Sequence, residues 1–134
     1  DESGVLKVAD FGLARTVQRD KKLTQAGYII GTVSYMAPEQ LMGGDLDART
    51  DLDGVGLVLF EGLSGRLPDE ASSPMAIIAA IVDKTVPDVS TLASDVPPAL
   101  GAVIGRLLQP EPEKRFASAR ELAEALALVT DGQR

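Results

Sequence analysis

Apolar positions along the chain fall into a few blocks separated by polar, glycine- and proline-containing stretches. Val5-Leu6-Lys7-Val8 is an apolar run of strand length and predicts a short buried strand. Residues 13–35 keep no period and hold Thr16, Thr24, Gly27, Gly31 and the charged run Arg19-Asp20-Lys21-Lys22. They predict a long loop, and long loops inside compact domains are usually functional or disordered. Pro38 is placed to start a short helix that Gly43-Gly44 would end.

Thr50 to Ser64 predicts a helix with Thr50 as N-cap and Asp51 and Asp53 complementing the dipole in its first turn. Leu52, Val55, Leu59 and Leu63 form one stripe, Val58 and Phe60 lie off it, and beyond the two aspartates only Glu61 is charged. A helix apolar nearly all round is expected to be buried. Ser73-Pro74 predicts a second helix to about Asp83, and a polar stretch follows to Pro98. Leu100, Val103, Ile104, Leu107 and Leu108 then recur at helical spacing until Pro110 and Pro112. Ser118-Ala119-Arg120-Glu121 is a capping-box pattern opening a last helix that carries Leu122, Leu126 and Val129. The tail 130–134 is expected to fray.

Composition narrows the function. The chain has 134 residues, 45% hydrophobic and 25% charged, enough for one domain with a real core. Its net charge is −7 and its basic residues form no extended cluster, which argues against nucleic acid as a partner. It has no cysteine, so no disulfide or thiolate metal site, and no histidine, so no imidazole catalysis or ligation. No apolar run approaches the roughly 20 residues of a membrane span. The first residue is Asp1 and no charged-then-apolar leader follows, so the chain is expected to be part of a longer one, with a cytoplasmic address.

Two tripeptides carry the chemistry. Asp10-Phe11-Gly12 and Ala37-Pro38-Glu39 stand in that order with 24 residues between them. The first follows the Val5–Val8 run, and the second follows Gly31-Thr32-Val33-Ser34-Tyr35-Met36. Together VLKVADFGLAR and GTVSYMAPEQ resemble the activation segment of a protein kinase. The later pieces APEQ, DARTD, GRLP and EKRFASARELAEAL resemble the eukaryotic-like Ser/Thr kinases of bacteria. The resemblance covers residues 4–129. It implies a mainly α fold, the C-terminal-lobe fragment of the protein-kinase-like α+β fold. Residues 1–39 would hold the strand and activation segment, 40–129 the helical subdomain, and 130–134 the tail.

The resemblance also implies roles. Asp10 would hold Mg²⁺ against the ATP phosphates, a task suited to a hard carboxylate oxygen, with Phe11 packing inward and Gly12 letting the backbone turn. Thr24, beside Arg19, Lys21 and Lys22, is the candidate activating phosphosite, with Thr16 a weaker one. Ala26 stands where relatives often carry a second threonine. Gly31, Thr32 and Tyr35 belong to the loop that would receive a Ser/Thr protein substrate. Glu39 would form a buried ion pair with Arg115, whose planar fork suits a carboxylate. Asp51 resembles the residue that accepts N–H groups of the catalytic loop, although any Asp there would complement the helix dipole.

The same pattern shows what these 134 residues do not contain. There is no glycine-rich phosphate loop, no strand lysine with its glutamate, and no HRD-type loop, which would need a histidine. Lys7 precedes Asp10 and does not match the ATP-binding lysine. Asp53 stands where relatives have an aromatic residue, and Asp69 where they usually have Phe. Gly54-Val55-Gly56 lacks the third glycine of a dinucleotide motif, and Gly101/Gly105 lacks a membrane frame. The expected activity is therefore that of a parent kinase, with the isolated chain inactive and binding neither ATP nor Mg²⁺ tightly. Its expected partners are a protein substrate or the N-terminal part of the kinase. A non-catalytic, pseudokinase-like interaction module and a decaying gene fragment remain as alternatives.

Overall fold

The computed structural model describes residues 4–5, 33–68, 73–83 and 85–132. Asp10, Phe11, Gly12, Thr24, Gly31, Thr32 and Asp69 lie outside them. So do Leu6, Lys7 and Val8 of the expected strand, whose first residue, Val5, is exposed and in no regular element. The described residues are helical: α1 (Pro38–Met42), α2 (Ala48–Ser64), α3 (Pro74–Val82), α4 (Val89–Leu92), α5 (Pro98–Leu107), a 3₁₀ turn (Pro112–Lys114) and α6 (Ala119–Asp131). None of these helices is long and apolar enough to cross a membrane.

Local chemistry sets most of the boundaries. Pro38 begins α1, and Gly43 ends it in the left-handed region at φ 70°. There the next amide, Gly44 N–H, turns back to the Glu39 carbonyl at 2.9 Å. Ser73 caps α3, its hydroxyl oxygen accepting from Ala76 N–H at 3.2 Å. At α6 the Ser118 Oγ accepts from Glu121 N–H, while Glu121 Oε2 reaches back to Ala117 N–H rather than to the cap residue's own amide. α6 continues through Asp131, past the expected boundary at 129.

The start of α2 differs from the sequence expectation. Asp47, not Thr50, is the N-cap: its Oδ1 accepts from Arg49 N–H at 2.8 Å, and its own N–H donates to Thr50 Oγ1. Asp is an equally good cap, and Ala48 and Arg49 are strong helix formers, so the cap lies three residues earlier. The short α4 was hidden because four residues carry no period; Asp88 caps it, accepting from both the amide and the hydroxyl of Ser90.

α5 is the hub, packing against α2, α4 and α6, while α1 packs on α3. Two core clusters meet at α5. One joins Leu57 and Phe60 of α2 with Val89, Val96, Ile104 and Leu108. The other joins Leu52 with Val103, Leu107, Phe116 and Leu122. The buried face of α2 is therefore Leu52, Asp53, Gly56, Leu57 and Phe60. Val55, Val58 and Leu63 are exposed, Val58 at 61%, so α2 is buried on one side rather than all round. Apolar composition alone does not distinguish an interior helix from one with an uncovered apolar face.

Gly56 explains how closely α2 and α5 approach. A Cβ there would lie 2.8 Å from Leu107 Cβ and 2.9 Å from Leu108 Cδ2. Gly62, also in α2, faces open space. Gly56→Ala is predicted to destabilise the chain by about 1–3 kcal/mol through overpacking. Gly62→Ala should stabilise it by up to about 1 kcal/mol through helix propensity. Urea denaturation of the two variants checks this; equal midpoints would contradict the close packing.

Candidate functional site

The segment Val33 to Met42 is held at three places. Its apolar side, Val33 with Met36 and Leu41, packs on Ile77, Ile78 and Ile81 of α3. Periodicity in α3 accounts for this: Ile77 and Ile81 are four residues apart, on one face. A helical turn at Val33–Tyr35, closed by Met36 N–H to the Val33 carbonyl at 3.0 Å, turns Tyr35 outward. The Tyr35 hydroxyl donates to Glu61 Oε2 of α2. That bond, partial burial and the Glu61 charge all push the Tyr35 phenol above its ordinary range. Glu61 was legible in advance only as the lone charge in the second half of α2.

The third anchor is the most buried. Arg115 and Glu39 are both buried, and the guanidinium grips the carboxylate with two bonds, Nη1 to Oε1 at 2.6 Å and Nη2 to Oε2 at 2.9 Å. The other three donors are also used: Nε–H to the Gln109 carbonyl at 2.7 Å, Nη1 to Arg49 O at 3.0 Å and Nη2 to Pro110 O at 3.2 Å. A guanidinium has five N–H groups in a fixed fork, and here each one has an oxygen. Arg115 thereby ties α1, the first turn of α2 and the loop after α5 to one point. The sequence pointed to Glu39 and Arg115. It did not reveal the three carbonyls, which depend on how the chain turns at Pro110 and Pro112.

Burial pushes the Glu39 carboxyl up, but the Arg115 hydrogen bonds, the helix amide and the Arg115 charge outweigh it, with Thr50 contributing. The net effect holds Glu39 below the usual carboxylate range. A second carboxylate stands close by. Asp53 is fully buried, with Oδ1 4.0 Å from Arg115 Nη2. Asp51, the neighbouring acid, is exposed in the first turn of α2.

On the other side of α5, Arg106 lies 4.1 Å over the Phe116 ring and pairs with Glu121 at 2.9 Å. This packs α6 but is half-exposed and holds no convergent groups. Among the described residues no cluster of three or more His, Cys, Asp or Glu could hold a metal ion. The metal-ligand candidate, Asp10, is outside them.

The family model for the protein kinase domain matches residues 1–126. The chain belongs to the protein kinase domain family. Its curated relatives include the serine/threonine-protein kinase PksC of Streptomyces coelicolor, 43% identical over 90% of this chain and 22% of that protein. The serine/threonine-protein kinase PknB of Mycolicibacterium smegmatis is 36% identical over 98% of this chain and 21% of that protein. A probable serine/threonine-protein kinase of Clostridium acetobutylicum is 34% identical over 96% of this chain and 19% of that protein. The chain thus spans about a fifth of the length of these relatives. Among solved structures, the twitchin kinase region from C. elegans matches with a TM-score of 0.63 at 23% identity, over 72% of this chain and 16% of that one. The helical arrangement is that of a protein-kinase lobe, in line with the resemblance to bacterial Ser/Thr kinases.

The Arg115 anchor makes a direct prediction. Arg115→Ala strands buried carboxylates and three carbonyls and is expected to cost about 3–5 kcal/mol. Lys114→Ala removes only an exposed pair with Glu111 and should stay within about 0.5 kcal/mol of the parent. Thermal or urea denaturation compares them; matching stabilities would remove the anchor from the account.

Proposed function

We propose that the chain is the helical, substrate-side part of a protein serine/threonine kinase domain, whose reaction moves the γ-phosphoryl of ATP to a protein Ser or Thr hydroxyl. The observation that carries the proposal is the buried Glu39–Arg115 pair with all five guanidinium donors engaged. It fixes the end of the Asp10–Glu39 segment against the helices, as a docking surface for an incoming polypeptide requires. The Tyr35–Glu61 bond supports the same reading by fixing the preceding turn to α2.

In this proposal Gly31, Thr32 and Tyr35 form the loop that meets the protein substrate. Thr32 would bond the catalytic Asp supplied by another part of the domain. Thr24 is the phosphosite, and its phosphate would pair with Arg19, Lys21 and Lys22 to order the segment. Asp10 is the residue that would hold Mg²⁺, which when bound neutralises charge on the ATP phosphates. Phe11 and Gly12 would set the backbone that aims it. The setting is cytoplasmic, where ATP is available. The 134 residues alone are inactive in this reading, because they hold neither an HRD-type loop nor a phosphate-covering glycine loop.

A second reading, a non-catalytic interaction module, is favoured by one observation: Val55, Val58 and Leu63 leave an apolar face of α2 exposed. One experiment separates the two. The corresponding segment of the Streptomyces coelicolor relative is replaced by this chain and the chimera is assayed with radiolabelled ATP and a generic acceptor protein. The kinase reading predicts transfer to Ser/Thr that Asp10→Ala abolishes and Thr24→Ala reduces, while the chain alone transfers nothing. A folded chimera without transfer, or transfer that survives Asp10→Ala, would contradict it.

A further inference from the structure

Thr50 stands in the first turn of α2 and is buried. A threonine hydroxyl has one proton to donate and two lone pairs that accept. Oγ1 accepts the Asp47 N–H at 3.4 Å, which is one half of the cap of α2. The same side chain hydrogen-bonds the Glu39 carboxylate. An ionised carboxylate only accepts, so in that bond the hydroxyl donates. Arg115 sets Glu39 against this turn independently: its Nη1 bonds both Glu39 Oε1 at 2.6 Å and the Arg49 carbonyl at 3.0 Å. The donors to the Glu39 carboxylate are then Nη1, Nη2, the Glu39 amide and the Thr50 hydroxyl.

We propose that Thr50 is a positioning residue for Glu39: its one hydroxyl joins the cap of α2 to the Glu39–Arg115 pair, so that α1 and the start of α2 form and open together. The need for such a link lies in the loop between them. Residues 43–47 are all exposed, and none belongs to an apolar cluster. Helix α1 has five residues, too few to hold together by its own hydrogen bonds. Side chains must therefore keep the two ends of that loop in register. Arg115 supplies the charge that attracts Glu39, and Thr50 matches the carboxylate to the first turn of α2. Gly44 N–H, which returns to the Glu39 carbonyl at 2.9 Å, reports whether the end of α1 is in place. Valine has the shape of threonine and can neither accept the Asp47 N–H nor donate to Glu39; serine can do both. The helical core around Phe60 and Leu107 includes neither Glu39 nor Thr50 and stands apart from this link.

The inference rests on these contacts and not on the kinase reading; its failure would leave that reading untouched. The test is amide hydrogen exchange across the full chain, together with an NMR titration of the Glu39 carboxyl carbon, in Thr50→Val and Thr50→Ser. The charged groups around Glu39 are unchanged in both variants: Arg115, with Asp53 4.0 Å from its Nη2, and Arg49 paired with Asp47. Helix α3, against which α1 packs, carries no charge. In Thr50→Val, exchange at Gly44 is expected to rise by about 5- to 150-fold, the usual span of coupling between two sites. Amides of α5 should keep their protection. The Glu39 carboxyl should titrate at higher pH than in the parent chain, because a donor to its ionised form is gone. Thr50→Ser should match the parent in both readouts. A threonine that only caps α2 would give a different pattern: in Thr50→Val faster exchange at Asp47 and Arg49, with Gly44 and the Glu39 titration unmoved. That pattern would overturn the proposal. So would Thr50→Ser behaving as Thr50→Val does, or Thr50→Val failing to fold, since the core and the Arg115 fork are intact in that variant.

Discussion

The structure depends on one buried cation. Arg115 sits where α1, the start of α2 and the loop after α5 converge, and each of these contributes oxygen atoms to its five donors. A charged group in that position would be strongly unfavourable if any large part of its hydrogen bonding failed, since water is not at hand to replace it. The fork geometry of guanidinium therefore constrains three chain segments at once. It specifies where Glu39 must lie, and through Pro38 and Gly43 it specifies the path of the chain from Tyr35 to Asp47. This is more a constraint on arrangement than a source of net stability, which comes from the apolar clusters on either side of α5.

Those clusters are joined by a helix with two unlike faces. α2 presents Leu52, Leu57 and Phe60 inward and lets Gly56 touch Leu107 and Leu108, so the two helices approach without an intervening side chain. Its other face carries Val55, Val58 and Leu63 in the open. Glu61 stands between the faces and receives the Tyr35 hydroxyl. One helix thus supports the core on one side and the Val33–Met42 segment at its edge, while Asp53 adds a second carboxylate beside Arg115.

The sequence displayed the local features well. Ser73-Pro74, Pro38 with Gly43, and Ser118 with Glu121 act within three or four residues, so their caps could be read from composition and spacing. The pairing of Glu39 with Arg115 spans 76 residues and was legible only through resemblance to kinases. Three features were not legible. Thr50 and Asp47 are both competent caps, and choosing between them depends on the first-turn residues and on Thr50's burial beside Glu39. The exposed side of α2 has the same apolar residues as a buried side, and only neighbours distinguish them. Asp53 reads as a dipole-complementing acid, whereas its burial against Arg115 follows from the angle at which α2 meets the loop after α5. Of the candidate site, Tyr35, Glu39, Asp51 and Arg115 are placed by the described residues, and Asp10, Phe11, Gly12, Thr24, Gly31 and Thr32 lie outside them.

The central claim is that the shape of the Arg115 guanidinium, and not its charge alone, organises the structure. Arg115→Lys tests it most directly. Lysine keeps the positive charge but offers three donors from one nitrogen, too few and too compact for the oxygens that Arg115 serves. The stability of Arg115→Lys, measured by urea denaturation, should fall most of the way to that of Arg115→Ala, with loss of the Val33–Met42 packing on α3. Stability close to the parent chain would show that charge compensation of Glu39 suffices and that the five-fold engagement of Arg115 is incidental.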